Sequence, residues 1–490
     1  MSKLNKDILF LIFEELKDDK DSLFSSILVN KNWCEVAIPI LWKDPWKNLI
    51  KERLLLETVV SFLTNESRDY MISHGLNLLI KPDKPPLFNY ISFCRYLNLH
   101  KLERIIYTIR NIKEEIKWSM ISEEIFKLFI NKNNRFTHLI IPYGYKRQIQ
   151  YLSGFEHCFS ELESLRCDVK TNQGFLNGLA QVCKSIKKLV VNVRVINKPG
   201  IIDLIEAQTK LEDVRFVFDL MTRRIDDILF YRICGKSLVK RANTIRHLQV
   251  NNELIPNLSS YVNLISLEIG THEHNASWNN LENVSLPSLR ILKAHKVPTN
   301  ILVNFIENNK GILLEIKISD ISFEVHTKKL IQAIYNNCPN LQYLELIIND
   351  DDILELENLL INCRHLDGLI LNVFNINTDE MGWDRLFEIL IKRASKNLFK
   401  FKFIHRTTIK FEALKNFFEN WKNRKPMLLH FIEMFHLSSK HLSLIESFKK
   451  KGIIKIFYHD KFSYGFDDFE WIKTVSYTHL DVYKRQILYI

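Results

Sequence analysis

Cys338-Pro339-Asn340-Leu341-Gln342-Tyr343-Leu344-Glu345-Leu346 decides the fold. By spacing it reads C-x-x-L-x-x-L-x-L. Leu344 and Leu346 alternate with Tyr343 and Glu345, the period of a strand with one buried face. Upstream, Leu330, Ile331 and Ile334 stand at helical spacing, so the unit is helix, short turn, strand. It recurs at Cys183, Ile186, Leu189 and Val191, and again at Cys363, Leu366, Leu369 and Leu371. Self-similarity at a fixed period outranks any single motif, because each copy can bury its apolar face only against its neighbours.

Outward from this stretch, the strand signature starts again and again from Phe136 to Ile453, mostly 24 to 28 residues apart. The interval from Leu211 to Ile245 is long, the next, to Leu264, is short, and those ending at Leu398 and Leu429 exceed thirty. Inserted loops account for the long ones. Helical patterns fill the intervals, among them Phe175, Leu176 and Leu179; Ile301, Leu302 and Phe305; and Leu414, Phe417 and Phe418. Pro199 and Pro298 stand near helix starts, where a missing N–H costs least.

Composition agrees with a soluble repeat protein. Hydrophobic residues make up 46% of the 490, enough for a continuous core, and Gly and Pro are scarce at 13 and 12. The 68 basic residues outnumber 57 acidic ones, giving +11, an excess that suits an acidic partner without arguing for nucleic acid. The eight cysteines are scattered and several recur at one repeat position, which fits small buried thiols in a reducing compartment, cytoplasm or nucleus. No apolar run has the length of a membrane span, and Ile8 to Phe13 is too short for a signal-peptide core.

The first 45 residues read as three short helices. Ile8, Leu9, Ile12, Phe13 and Leu16 form the first stripe; Asp21 or Ser22 caps a second helix that buries Leu23, Phe24, Ile27 and Leu28; a third carries Trp33 and Val36 and stops at Pro39. Helices this short make little core of their own, so their apolar surface calls for a partner.

Leu4-Asn5-Lys6-Asp7-Ile8, then Ile12-Phe13, Leu16, Val29-Asn30-Lys31-x-Trp33 and Leu41-Trp42 resemble the F-box, which reads roughly L-P-x-E-[LI], [IL]-F, L, V-C-K-x-W, L-W. Asn5 stands where proline is usual, Asp7 where glutamate is usual and Asn30 where cysteine is usual. The resemblance implies docking onto a Skp-type adaptor of a cullin-RING ubiquitin ligase. Leu4, Ile8, Leu9, Ile12, Phe13, Leu16, Leu28, Val29 and Trp33 would then face the adaptor or support the helices that do. The array in turn resembles leucine-rich repeats of the cysteine-containing subtype that commonly follows an F-box. The expected fold is therefore α/β: a three-helix F-box, then a solenoid with a curved parallel sheet on its concave side and helices on its convex side.

The domains expected are residues 1–45, the F-box-like helices; 46–130, a helical connector and cap; and 131–472, the array. In the connector, Leu54, Leu55, Val59, Phe62 and Leu63 form an amphipathic stripe, Gly75 to Ile80 read as a first strand, Lys81 to Pro86 as an exposed loop, and Leu102, Ile105 and Tyr107 as a degenerate repeat. Residues 473–490 continue no repeat and look like a translated vector scar, so they are excluded from fold reasoning.

The side chains between the last two apolar positions of each strand would line the concave face. They are Arg166, Val190, Arg215, Gln249, Glu268, Lys293, Lys317, Glu345, Ile370 and Lys402, five basic and two acidic. A mildly basic face that holds a protein substrate with acidic or phosphorylated segments is expected. No phosphate-binding, dinucleotide, nucleophile-elbow or H-E-x-x-H motif occurs, and no C-x-x-C pair, so neither catalysis nor a cofactor nor a metal is expected. His272-Glu273-His274 reads as a polar loop, Asp350-Asp351-Asp352 as a cap for the next helix, and Cys34 as helix packing. The functional expectation is a non-catalytic receptor subunit of an SCF-type ligase, with a repeat scaffold outside any ligase as the alternative. Neither membrane nor nucleic acid is an expected partner.

Overall fold

The computed structural model describes residues 5–47, 52–73, 86–108, 115–193, 200–218, 228–251, 254, 257–271, 278–281, 283–319, 327–373, 382–405, 409–433 and 437–461. The expected strand at Gly75 to Ile80, the His272-Glu273-His274 loop, Leu4 and residues 473–490 lie outside them. The chain divides into two compact units, Met1–Ile245 and Arg246–Ile490.

The first unit opens with α1 (Lys6–Glu15), α2 (Lys20–Ile27) and α3 (Lys31–Trp42). Leu9, Phe13, Leu23, Val36, Ala37, Ile40 and Leu41 form their common core, with Leu16, Ile27, Trp33 and Trp42 packed against it. Asn5 caps α1 and Asn30 caps α3, each side chain accepting an N–H of the first turn, from Asp7 and from Trp33. The two asparagines that depart from the F-box pattern are thus N-caps of the preferred kind, at the starts of their helices. The cap of α2 is Asp19, two residues before the expected Asp21, and it takes both the N–H and the hydroxyl of Ser22. Helix α3 also corrects the expectation: it runs through Pro39 to Trp42. One missing N–H removes a single hydrogen bond, while Ile38, Ile40 and Leu41 on either side of the proline are buried.

Next come α4 (Glu52–Val60), α5 (Asn65–Ser73), α6 (Tyr90–Phe93), β1 (Tyr96–Asn98), α7 (Leu99–Tyr107) and α8 (Glu115–Phe129). Leu102, Ile105 and Tyr107, expected as a degenerate strand repeat, lie on α7; the strand is Tyr96–Asn98, just before it. The buried side chains of α7, Leu99, Leu102, Ile105 and Ile106, follow helical spacing. The unit closes with β2 (His138–Ile140), α9 (Phe155–Phe159), β3 (Ser164–Asp168), α10 (Gln173–Val182), β4 (Lys188–Val193), α11 (Gly200–Ala207), β5 (Asp213–Phe218) and α12 (Ile228–Val239). Helix α12 occupies the long interval between Leu211 and Ile245.

The second unit holds β6 (His247–Asn251), β7 (Ser266–Gly270), β8 (Ile291–His295), α13 (Thr299–Asn308), β9 (Glu315–Ser319), α14 (Thr327–Asn337), β10 (Tyr343–Ile348), α15 (Ile353–Asn362), β11 (Gly368–Val373), α16 (Trp383–Arg393), β12 (Lys400–His405), α17 (Phe411–Glu419), β13 (Met427–Glu433), α18 (Ser439–Lys450) and β14 (Ile454–Lys461). The short interval before β7 has room for only a single 3-10 turn, Leu258–Ser260.

Within each unit every strand pairs in parallel with the next in sequence order. Both units are α/β, with parallel strands alternating with helices or turns, the repeating architecture of a solenoid. The alternate strand side chains expected in the core, such as Leu189, Val191, Leu344 and Leu346, are buried. One carbonyl per repeat accepts two consecutive N–H groups from the next. Thr137 O takes those of Glu163 and Ser164, Glu163 O those of Lys187 and Lys188, and Arg290 O those of Leu314 and Glu315, all at 2.8–3.0 Å.

The cysteine position also has a physical reason. Cys183 Sγ donates to Phe159 O at 3.0 Å and Cys158 Sγ to Asn131 O at 3.0 Å, each in the preceding repeat. Cys363 Sγ reaches Cys338 O at 3.5 Å. A thiol is small enough for the crowded turn and still supplies a donor. Burial pushes the thiols of Cys183, Cys338 and Cys363 up to about 12. Since the thiolate is the nucleophile, iodoacetamide at pH 8 should leave these three unmodified in the folded protein. Half-buried Cys34 should react. Mass spectrometry before and after denaturation checks this; fast native labelling of Cys183 would contradict the packing.

Candidate functional site

Two surfaces carry the residues that sequence reasoning singled out. On the three-helix surface those residues divide by exposure. Leu9 and Phe13 are buried in the bundle core, Leu16 and Trp33 pack against it, and Phe13 and Trp33 meet edge to face at 5.4 Å. They support the helices. Ile8, Ile12, Leu28 and Val29 point outward, with Leu28 85% and Ile12 44% exposed. Two neighbours outside the expected set, Phe10 and Leu11, are exposed as well, and so is Phe24. The signal was present, because Ile8 to Phe13 is an unbroken apolar run. One helix face can bury only part of such a run, so the rest must face outward. Leu28 and Phe24 had been expected inside α2; its eight residues bury Leu23 and Ser26 instead.

This bundle is joined to the first strand by backbone and side chain. Lys43 O, just past α3, accepts the N–H groups of Arg95 at 2.9 Å and Tyr96 at 3.2 Å. It therefore plays for β1 the part that Thr137 O plays for β3. Trp46 is buried, its indole N–H donates to Tyr96 O, and its ring lies 5.9 Å from that of Phe129. Lys101 Nζ donates to Trp46 O and Lys20 Nζ to Lys47 O, so two ammonium groups cap the carbonyls after α3.

The second surface is the strand face that carries the alternating x positions. Register confirms that these residues form rows. Arg166, Val190 and Arg215 are partners across β3, β4 and β5. Gln249, Glu268, Lys293 and Lys317 are partners across β6 to β9, followed by Glu345, Ile370, Lys402 and His430 across β10 to β13.

The chemistry differs from an open basic face in the second unit. Lys317, Glu345, Ile370 and Lys402 are buried, Lys402 only 3% exposed. Lys317 Nζ lies 3.4 Å from Glu345 Oε2, Lys293 Nζ lies 3.7 Å from Glu268 Oε2, and Gln249 donates to Glu268 at 2.7 Å. Tyr343, Ile370 and Ile404 form an apolar cluster in the same face, and Lys400 Nζ donates to the Tyr343 hydroxyl at 3.0 Å. Burial, with Asp367 and Glu315 nearby, pushes that phenol up to about 12. The physical reason is strand spacing. Neighbours in a parallel row stand about 4.8 Å apart, so opposite charges pair with each other and long stems lie along apolar side chains. In the first unit Arg166 is exposed, as expected.

Asp352 stands at the N-cap position of α15, as expected, but its side chain makes no capping hydrogen bond. It is buried, and its Oδ2 accepts the Thr327 hydroxyl at 2.6 Å and the Asn349 N–H at 3.2 Å. Among the described residues no group of His, Cys, Asp and Glu side chains has the arrangement of a metal site, and no helix is long and apolar enough to cross a membrane. No protein-family model matches the chain, and no curated protein matches it.

Proposed function

We propose that this chain is a substrate receptor of an SCF-type cullin-RING ubiquitin ligase, with α1–α3 as a diverged F-box that docks a Skp-type adaptor and the leucine-rich-repeat strand face holding a protein substrate. The observation that carries the reading is the exposed apolar set Ile8, Ile12, Leu28 and Val29, widened by Phe10, Leu11 and Phe24, on a bundle whose own core is already closed. This many exposed apolar side chains on three short helices suit a protein partner. The capping roles of Asn5 and Asn30 support it further, since the departures from the family pattern maintain the helices. The action is proximity: a held substrate lysine meets a charged ubiquitin carrier at raised effective concentration, and this chain makes or breaks no bond.

Pull-down of the full chain by a purified Skp-type adaptor tests the reading. Capture should fall more than about 100-fold in an Ile12→Asp, Leu28→Asp double variant, because a charge would be desolvated at two central contacts. Leu354→Asp, an exposed apolar position on α15, should leave capture unchanged. Undiminished capture by the double variant, or none by the unmutated chain, would remove the ligase role and leave a repeat scaffold.

A further inference from the structure

The turns that lead into the last four strands carry a strip of positive charge along one edge of the second unit. They are residues 363–367, 394–399, 420–426 and 450–453, at the ends of α15 to α18. The backbone stacks them. Asp367 O accepts the N–H groups of Phe399 and Lys400 at 3.3 and 3.2 Å, Phe399 O that of Leu428 at 2.9 Å, and Ile453 O that of Met427 at 2.8 Å. Arg424 adds two bonds across the edge, donating to Ala394 O and Ile391 O, each at 2.8 Å. Arg364, Lys396, Lys422, Lys425, Lys450 and Lys451 are exposed there, and none of them forms an ion pair with a described residue. The only acid in the four turns is half-buried Asp367. Acids on the helices beside them are taken by other cations: Glu357 by Arg393 at 2.6 Å, Glu446 by Lys449 at 2.8 Å and Glu388 by Lys392. Glu419, the last residue of α17, stays exposed.

Solubility does not require this placement. A solvating surface mixes both signs, and the preceding turns of the same unit, 261–265, 286–290, 309–314 and 338–342, hold only Arg290 and Lys310. Helix dipoles do not require it either, because α15 and α17 have no basic residue in their last turn, and Lys422 and Lys425 lie beyond α17. No large apolar side chain is exposed in the four turns, whereas a protein partner needs an apolar centre to pack against. A partner held by charge alone must have a high charge density of its own. A phosphate backbone has it, and release of its condensed counterions supplies the affinity. We infer that this strip binds the phosphate backbone of a double-stranded nucleic acid without reading its sequence. Turns stacked about 4.8 Å apart span about 14 Å from first to last, over which one strand of a duplex presents about four phosphates. Lysine suits the task as a compact point charge on a flexible stem. Single strands are held largely by stacking of bases on open aromatic faces. Here Phe399 lies under Lys400 and Lys425 at 5.3 and 5.1 Å, and buried Trp421 lies under Arg424 at 4.6 Å. The overall charge of +11 did not point to nucleic acid; the gathering of cations in four adjacent turns does. This role adds to the receptor reading, whose adaptor surface lies in the first unit.

The test is fluorescence anisotropy of the full chain with a labelled short DNA duplex of mixed sequence. The slope of log K against log salt should be about −4, a loss of about 100-fold between about 50 and 200 mM salt. Lys396→Gln, Lys422→Gln and Lys450→Gln together should weaken binding at least about 10-fold at low salt. They should also bring the slope to about −1, since each phosphate contact contributes about 0.9 to it. All three side chains are exposed, so the core is left intact. Lys310→Gln, at an exposed position on an earlier turn, should change neither the affinity nor the slope. A duplex of A·T pairs alone should bind as the mixed one does. Absence of duplex binding, undiminished binding by the triple variant, or an equal loss in Lys310→Gln would overturn the inference. Tighter binding of the single strand would overturn it too. So would tighter binding of polyglutamate or of phosphatidylserine vesicles, lost in the same triple variant, which would make the partner an acidic polypeptide or a membrane surface instead.

Discussion

Asn309→Leu is expected to destabilise the second unit by about 3–9 kcal/mol, because each of three buried polar groups left without a partner costs about 1–3 kcal/mol. Asn309 is buried, its Nδ2 donates to Phe305 O at 2.7 Å and Val284 O at 3.0 Å, and its Oδ1 accepts the Leu286 N–H at 2.7 Å. Leucine has nearly the same shape and would orphan all three. Gln208 does the same work in the first unit, donating to Leu204 O and Cys183 O and accepting from Ile186 N–H. Both amides reach four residues back and one repeat back, so each ties a helix end to the preceding turn. Hydrogen exchange of the amides in 283–309 is the measurement. The variant should exchange orders of magnitude faster there, and Asn309→Asp should be no better, since a carboxylate cannot donate to two carbonyls. Unchanged protection in Asn309→Leu would show that water or another group can satisfy the turn.

The second large effect belongs to Trp46. Removing its ring should cost about 3–5 kcal/mol, the usual range for a buried tryptophan, and should loosen the join between α3 and β1. Trp46 fills the space against Phe129 and donates to Tyr96 O, beside the Lys43 carbonyl that starts the strand hydrogen bonds. Limited proteolysis of Trp46→Ala should open new cleavage between residues 43 and 95. Trp46→Phe, which keeps most of the packing and loses one donor, should behave much closer to the unmutated chain, about 1 kcal/mol down. A Trp46→Ala protein as resistant as the parent would mean that the capping lysines Lys20 and Lys101 hold the join unaided.

The role of Cys338, Leu341, Leu344 and Leu346 was readable because a repeat states its own period: a buried face of period 2 followed by a helix of period 3.6 leaves little else for the chain to do. Helices at Phe175, Ile301 and Leu414 followed for the same reason. Boundaries were less legible. Pro39 reads as a stop, yet the burial of its neighbours outweighs one lost hydrogen bond, and β1 fell at Tyr96–Asn98 because Leu102 and Ile105 serve a helix equally well by spacing.

By itself the sequence determined the repeat, its parallel α/β order, the apolar run of the first helix and the row of x positions, since each depends on local spacing alone. Only the tertiary structure decided which apolar side chains close the three-helix core and which face outward, since Phe13 and Ile12 are adjacent in sequence and opposite in burial. It alone decided where the row of x positions stays charged. Lys317 and Lys402 read like Arg166 on paper. Across strands, however, Lys317 meets Glu345 at 3.4 Å, while Arg166 sits between Ile140 and Val190, neither of them an acid. Charge on a strand is a property of the residue, but charge on a sheet is set by its neighbours in register about 4.8 Å away, and no single strand contains them.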